Sequence, residues 1–341
     1  MTIDSTRRSV LKSGAIAGML ALAGCTGGGS NGGGGGSGDN GWAPERNVTV
    51  VVPWGAGGGT DLAVRQVMDP AATILKNRDI NVQINVENIT GAGGLNGASN
   101  VLNQPADGHI IFADTNVIAP NIAQEKATFT IDDWVGICRM QYDTSFIFTT
   151  GRNGGGYEDI NKFVETAKQK TVQFGITGGL DSAVFPVEFG QETGILDNME
   201  IVSYDDAGQM ESDVITGEID VAYGELVEIK ELESEGEVKL LFAGIDEPVE
   251  GFEEVPTAEE TGWDAQFGVQ RALVAKNGTP DEAVSFWMDV VQEAMATDSY
   301  KEFESENYLD IRDGFLPGDE HMKNIENQID LFKTAMEQFR G

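Results

Sequence analysis

The run Val48-Thr49-Val50-Val51-Val52-Pro53-Trp54-Gly55-Ala56-Gly57-Gly58-Gly59-Thr60-Asp61 constrains this chain more than any other stretch. A β-branched strand empties into a glycine loop, and the loop runs into a helix whose apolar positions are Leu62, Val64, Val67 and Met68. Valine and threonine favour extended backbone because their branched side chains pack well on a pleated surface. Glycine lets the main chain come close to a ligand. The unpaired amides that open a helix make a seat for an anion. The run therefore describes a domain that holds an anion with its backbone.

The same strand-then-helix order repeats. Strand-like runs fall at Val48–Val52, Asn81–Val86, His109–Ala113, Phe146–Thr150, Val172–Ile176, Ile201–Tyr204, Asp220–Tyr223, Lys239–Ala243 and Arg271–Ala275. Helix-like stretches fall at Asp61–Lys76, Gly94–Asn103, Tyr157–Lys168, Ala183–Thr193, Gln209–Thr216 and Pro280–Thr297, and the periodicity stays helical for most of Pro280 to Phe339. This alternation predicts an α/β fold with mostly parallel sheets flanked by helices. Open α/β sheets bind ligands beyond the carboxyl ends of their strands. Three glycine turns fall at such places: Gly55–Asp61, Gly91-Ala92-Gly93-Gly94, and Thr177-Gly178-Gly179-Leu180-Asp181-Ser182. One such turn is an ordinary connection. Three together, two of them leading straight into helices, point to a cleft for an anion or a polar ligand.

The 341 residues favour two domains, and the first segment reads as export rather than fold. Arg7-Arg8 precedes an apolar stretch from about Ala15 to Ala23, too short for a bilayer span of about 20 residues. With Leu22-Ala23-Gly24-Cys25 it has the order of a twin-arginine lipoprotein signal over residues 1–24, with Cys25 as the lipidated end. Residues 25–43 are mostly Gly, Ser and Asn and read as a flexible tether. Cys138 is the other cysteine, so the folded part has no internal disulfide, and its place in Trp134-Val135-Gly136-Ile137-Cys138 predicts a buried, inert thiol.

Acid outnumbers base by 56 residues to 22, for a net charge of −34. Spread through the folded part, this charge excludes nucleic acid as a partner, since phosphates would be repelled. It reads as adaptation to very salty surroundings, where a carboxylate surface stays hydrated; no calcium-loop spacing supports a metal buffer. Anion binding is compatible with it, because the Debye length falls to about 3 Å at 1 M salt. Surface carboxylates then scarcely reach a pocket, while amides in contact with a ligand still do.

Several motifs, in order, resemble the receptors of tripartite tricarboxylate transporters, the Bug-type extracytoplasmic solute receptors, over most of residues 47–300. Pro53–Asp61 is similar to their Pro-aromatic-x-x-Gly-Gly-x-Thr-Asp loop, with Arg65 at an arginine position of the first helix. Glu87–Gly97 resembles Glu-Asn-x-x-Gly-Ala-Gly-Gly-x-x-Gly, Pro105–His109 resembles Pro-x-Asp-Gly-Tyr, and Val255–Gly262 resembles Val-Pro-Thr-x-x-Glu-x-Gly. The resemblance implies a type II periplasmic-binding-protein-like fold, with two lobes that close over a cleft. One lobe would hold residues 44–143 and 264–341, the other 144–263. It also implies a small organic carboxylate of the di- or tricarboxylate class as ligand, gripped by Gly57, Gly58, Gly59, Thr60 and Asp61 on one side and by Thr177, Gly178, Gly179 and Ser182 on the other. Delivery would be to large and small integral membrane permease subunits, with membrane lipid engaged through Cys25. A sensory receptor reporting to a membrane protein would use the same cleft. The second loop departs from the pattern: Ile176, Leu180 and Val184 stand where the family has serine, glycine and histidine, and Asp205 and Asp206 follow Tyr204.

Single residues keep two readings each at this stage. Asp61 either touches the ligand or caps the following helix. Arg271 either forks onto a second carboxylate or forms a salt bridge within an acidic protein. Tyr204 lines the cleft or only packs, Trp54 walls the pocket or belongs to the core, and Arg65 reads as an ion-pair partner. His109 and His321 lack metal-ligand spacing. The Gly-x-Gly-x-x-Gly fingerprint fails at Thr60, and there is neither a Walker loop nor a Gly-x-Ser-x-Gly elbow. No catalytic residue, metal or cofactor is expected.

Overall fold

The computed structural model describes residues 41–152, 155–177, 182–204 and 206–339. The signal segment, residues 25–40 of the expected tether with Cys25, Gly178, Gly179 and Asp205 lie outside the described residues; Trp42, at the end of that tether, packs against His109, Phe286 and Trp287. Along the chain the elements are β1 (Val48–Val52), α1 (Gly59–Asn77), β2 (Ile84–Asn88), α2 (Leu95–Leu102), β3 (Ile110–Asp114), α3 (Ile118–Ala123), β4 (Trp134–Tyr142) and β5 (Ser145–Thr150). There follow α4 (Ile160–Ala167), β6 (Val172–Thr177), α5 (Val184–Thr193), β7 (Met199–Tyr204), α6 (Ala207–Thr216), β8 (Val221–Glu225), α7 (Leu226–Ser234) and β9 (Val238–Ala243). The chain then runs through α8 (Ala258–Thr261), β10 (Gln270–Lys276), α9 (Asp281–Met295), α10 (Asp298–Glu306), β11 (Leu316–Pro317) and α11 (Gly318–Phe339).

Two sheets organise these elements into two lobes. The first has strand order β11-β4-β10-β3-β1-β2, the second β7-β6-β8-β5-β9. β1 is buried on both sides, as its unbroken β-branched sequence requires; Val50 pairs in parallel with Val86 of β2 and Ile111 of β3. On one side of this sheet α1, α9 and α10 cover Val50, Ile111 and Leu273. On the other, α2, α3 and α11 cover Val51, Phe112 and Val274. In the second lobe α4 and α5 pack phenylalanines 163, 185 and 189 on one side, while α6 and α7 pack Met210, Val214, Leu226 and Ile229 on the other.

The two-lobed α/β architecture stands as the sequence predicts, but the sheets are mixed rather than mostly parallel. β10 runs antiparallel to both β3 and β4, and β5 antiparallel to both β8 and β9. The reason lies in the crossings between lobes: β4 leads out of the first sheet directly into β5, and β10 brings the chain back. The two crossings lie side by side, with the Asp143 N–H donating to the Val269 carbonyl at 3.0 Å. A side chain on Gly268 would run into the Asp143 carbonyl, so only glycine allows this approach.

Candidate functional site

The glycine loop is shaped from behind. Gly58 is the N-cap of α1, and Gly57 adopts φ 82°, a conformation open to glycine at little cost. Asp61 is not the cap that the sequence suggested. It is the third residue of the helix, almost fully buried, and its carboxylate accepts the Gly57 N–H at 2.9 Å and Asn88 Nδ2 at 2.9 Å. Arg65 donates to the same carboxylate at 3.0 Å and holds its pKa down at about 2, helped by the Gly57 and Asn88 hydrogen bonds. Asp61 is thus spent on pinning the loop, and Arg65 is the ion-pair partner expected. Gly57, Gly58 and Gly59 remain exposed. The first-turn amides of Gly59 and Thr60 have no partner within the helix, as at any helix start. Thr60 is buried, and its hydroxyl donates to the Thr115 hydroxyl at 3.2 Å.

Arg271 lies between the lobes and beside this loop. Its Nη2 stands 2.8 Å from the position that a Cβ on Gly59 would take. Nη1 donates to Gln141 Oε1 at 2.9 Å and lies 3.4 Å from Asp143 Oδ2, while Nη2 lies 3.4 Å from Glu225 Oε1 at the end of β8. The guanidinium is buried, and Nε has no hydrogen-bond partner. Burial and the neighbouring Glu225 raise the pKa of Asp143 to about 9, against the opposing pull of Arg271. Asp143 and Glu225 thus face the same guanidinium from either side. The internal salt bridge foreseen for Arg271 is present, on the wall of the crossing next to the glycine loop.

The second loop is less fully described. Thr177 ends β6, with Oγ1 3.6 Å from Met210 Sδ. The Ser182 carbonyl accepts from the Tyr223 hydroxyl at 2.9 Å. Tyr204 donates its hydroxyl to Asp213 at 2.9 Å. Trp54 packs among core residues with a buried, unpartnered Nε1. His109 belongs to the frame: its Nε2 accepts the Glu45 N–H at 3.2 Å. Cys138 is buried in the first core, which raises its pKa to about 12.

A cavity of about 290 Å³ opens between α5 and α11, and of the site residues named from sequence that are among the described residues only Ser182 lines it. Asn116, next to Thr115, forms part of its wall, as do Phe185, Phe267, Leu331 and Phe332. Its polar floor comes from β4 and β5: Arg139, Tyr142 and Ser145. Arg139 escaped the sequence reading because it follows an apolar run; the signal available was a lone cation next to a buried stretch in an acid-rich chain. Glu188 also lines the cavity, and burial reinforced by Asp264 raises its pKa to about 7.

Residues 63–338 match the TctC model, described as tripartite tricarboxylate transporter family receptor. The chain belongs to this receptor family. Membership makes it an extracytoplasmic solute receptor of a transporter rather than an enzyme. The receptor is 28% identical over 247 residues to the UPF0065 protein in the TAR-I ttuE-ttuC' intergenic region of Agrobacterium vitis, which covers 70% of this chain and 68% of that protein. Its fold is similar to that of a TctC solute binding protein from Polaromonas with no ligand, at 22% identity and TM-score 0.74, over 86% of this chain and 99% of the other. MatC of Rhodopseudomonas palustris with bound malate aligns over 86% of this chain and 99% of its own at 20% identity and TM-score 0.65. An R. palustris protein with adipate aligns over 86% and 97% at 21% identity and TM-score 0.64.

Proposed function

We propose that this receptor captures a small organic carboxylate of the di- or tricarboxylate class between its lobes. It delivers the ligand to a membrane permease made of one large and one small subunit. The observation that carries this reading is the exposed, helix-opening glycine loop, pinned from behind by Asp61, with the Arg271 guanidinium against Gly59. Backbone amides directed at a carboxylate supply charge-assisted hydrogen bonds without adding a cation to the surface. Malate and adipate, bound by two structural relatives, belong to the same chemical class.

In this reading Gly57, Gly58, Gly59 and Thr60 form one side of the grip, and Thr177, Gly178, Gly179 and Ser182 the other. Asp61 acts by shaping the loop, while Arg271 and Tyr204 stand at the margins. The lobes comprise residues 44–143 with 264–341, and 144–263; the division of strands between two sheets supports these bounds. Closure replaces water around the carboxylate with amides from both lobes. Cys25 carries lipid, and the glycine-rich residues after it, up to the packed Trp42, tether the receptor to the outer face of the membrane; the order of Arg7-Arg8, apolar stretch and cysteine supports this. The excess of 56 acidic over 22 basic residues fits work in concentrated salt.

The experiment is a thermal-shift screen in molar salt against carboxylates, sugars and cations. A ligand at a hundred times its dissociation constant adds about 2.7 kcal/mol of stability. Shifts with di- or tricarboxylates are expected. Shifts only with sugars or cations would overturn the ligand class.

A further inference from the structure

The cavity between α5 and α11 is lined by a cation that forms no ion pair among the described residues. Arg139 is buried, with a relative exposure of 7%. Its Nε donates to the Gly314 carbonyl at 3.0 Å and its Nη1 to Gln270 Oε1 at 3.1 Å, and neither partner is charged. Among the described residues no carboxylate forms an ion pair with it, although the chain has 56 acidic residues. A second, half-buried guanidinium reinforces the charge. The Tyr142 ring lies between the two arginines, 4.5 Å from Arg139 and 4.1 Å from Arg312. Arg312 is likewise bound to neutral groups, the Thr144 hydroxyl at 2.9 Å and the Gly244 carbonyl at 2.5 Å. A desolvated cation is stable only when paired or well hydrogen-bonded; Asp313 acts on Arg139 without forming an ion pair, so the guanidinium keeps room for a directly bound carboxylate.

The rest of the cavity shows what kind of anion would fit. The Ser145 hydroxyl lies on the same floor, buried and without a hydrogen-bond partner. The walls above are apolar: Val184, Phe185, Phe267, Leu331 and Phe332. No residue of the glycine loop lines the cavity; Asn116 on its wall follows Thr115, which accepts from Thr60. A register shift in β4 sets Arg139 apart from the Arg271 cluster. Arg271 faces Gln141 and Ala272 faces Arg139, so Met140 is skipped and the two arginines emerge on opposite sides of the sheet.

We propose that Arg139 is a specificity residue that takes the far carboxylate of an elongated α,ω-dicarboxylate whose near carboxylate rests on the glycine loop. This rests on the carboxylate-receptor reading above. The methylene chain crosses the apolar walls, and Ser145 donates its orphaned hydroxyl to the same carboxylate. Glu188, the acid on the wall, is protonated or half-protonated near neutrality and can donate rather than repel. His321, near Arg139, is held neutral by burial and by that arginine.

The test compares adipate with hexanoate, which has the same chain but one carboxylate, by calorimetry on the full chain. Wild type should prefer adipate by about tenfold or more, the worth of a buried charge-assisted pair. Arg139→Gln should abolish that preference while hexanoate affinity stays within about threefold. Arg139→Lys should restore part of it. Asn327→Asp is the safeguard against a misfolded arginine variant, because Asn327 is an exposed residue of α11 lining the same cavity. The added charge should weaken adipate several-fold more than hexanoate. Equal effects on both acids, or none, in the Arg139→Gln and Asn327→Asp variants would overturn the assignment while leaving carboxylate binding intact. Absence of all carboxylate binding to wild type would overturn both readings.

Discussion

Arg271 and Gly59 leave no room for a side chain between them: a methyl group on Gly59 would stand 2.8 Å from Arg271 Nη2. The glycine is required there because the guanidinium fills the space that a side chain would need. Gln141, Asp143 and Glu225 surround the arginine, so it cannot swing away freely. The first lobe's loop and the end of the second lobe's β8 thus meet on one side chain.

Gly59→Ala should therefore harm binding more than folding. The alanine gains helix propensity of up to about 1 kcal/mol in the first turn, offsetting the cost of moving the arginine. The expected outcome is a melting temperature within a few degrees of wild type and carboxylate affinity reduced about tenfold. Thermal melts and calorimetry on the same preparation check both parts.

Asp61→Asn should loosen the loop and destabilise the fold by roughly 1–2 kcal/mol at pH 7, discounted because Arg65 is 41% exposed. The folded pKa of Asp61 is about 2, below the ordinary value of 3.8. Its stabilisation is thus complete above about pH 4 and is lost as pH falls through 2. Urea titrations at pH 7 and pH 2 should show the wild-type advantage at the first and most of it gone at the second.

Asp143 has the opposite sign. Its folded pKa is about 9, well above the ordinary carboxylate range, so the folded state retains a proton that the unfolded chain releases. Stability falls with pH between about 4 and 9 on this account. Asp143→Asn should flatten the decline, with little change at pH 5 and a higher melting temperature than wild type at pH 8.5. A variant whose deficit grows with pH would mean that Asp143 is charged in the folded protein.

Cys138 should be silent to thiol reagents in the native protein, since it is buried and its pKa is raised to about 12. A chromogenic disulfide reagent should label it in urea and not in buffer. Rapid native labelling would show that the first core opens readily.

The parts of the fold legible in the sequence are those whose pattern is local. β1 is bounded where its valines begin and end, and α1 where the glycine loop gives way to apolar periodicity. β4 escaped because Arg139 and Gln141 interrupt its apolar run, and both owe their burial to partners in β10 and the segment before β11. α3 contains Pro120, and α7 is crowded with glutamates, so neither shows a clean period. The glycine loop could be named from sequence because its chemistry lies in consecutive residues. The role of Asp61 and the partners of Arg271 could not, because Asn88 and Glu225, which decide them, arrive from distant strands.

The most direct measurement is a crystal structure of the receptor with a bound carboxylate identified by the screen. The account predicts carboxylate oxygens about 3 Å from the amides of Gly59 or Thr60, in a cleft closed by both lobes. A ligand seated elsewhere, with that helix start still open to water, would contradict it.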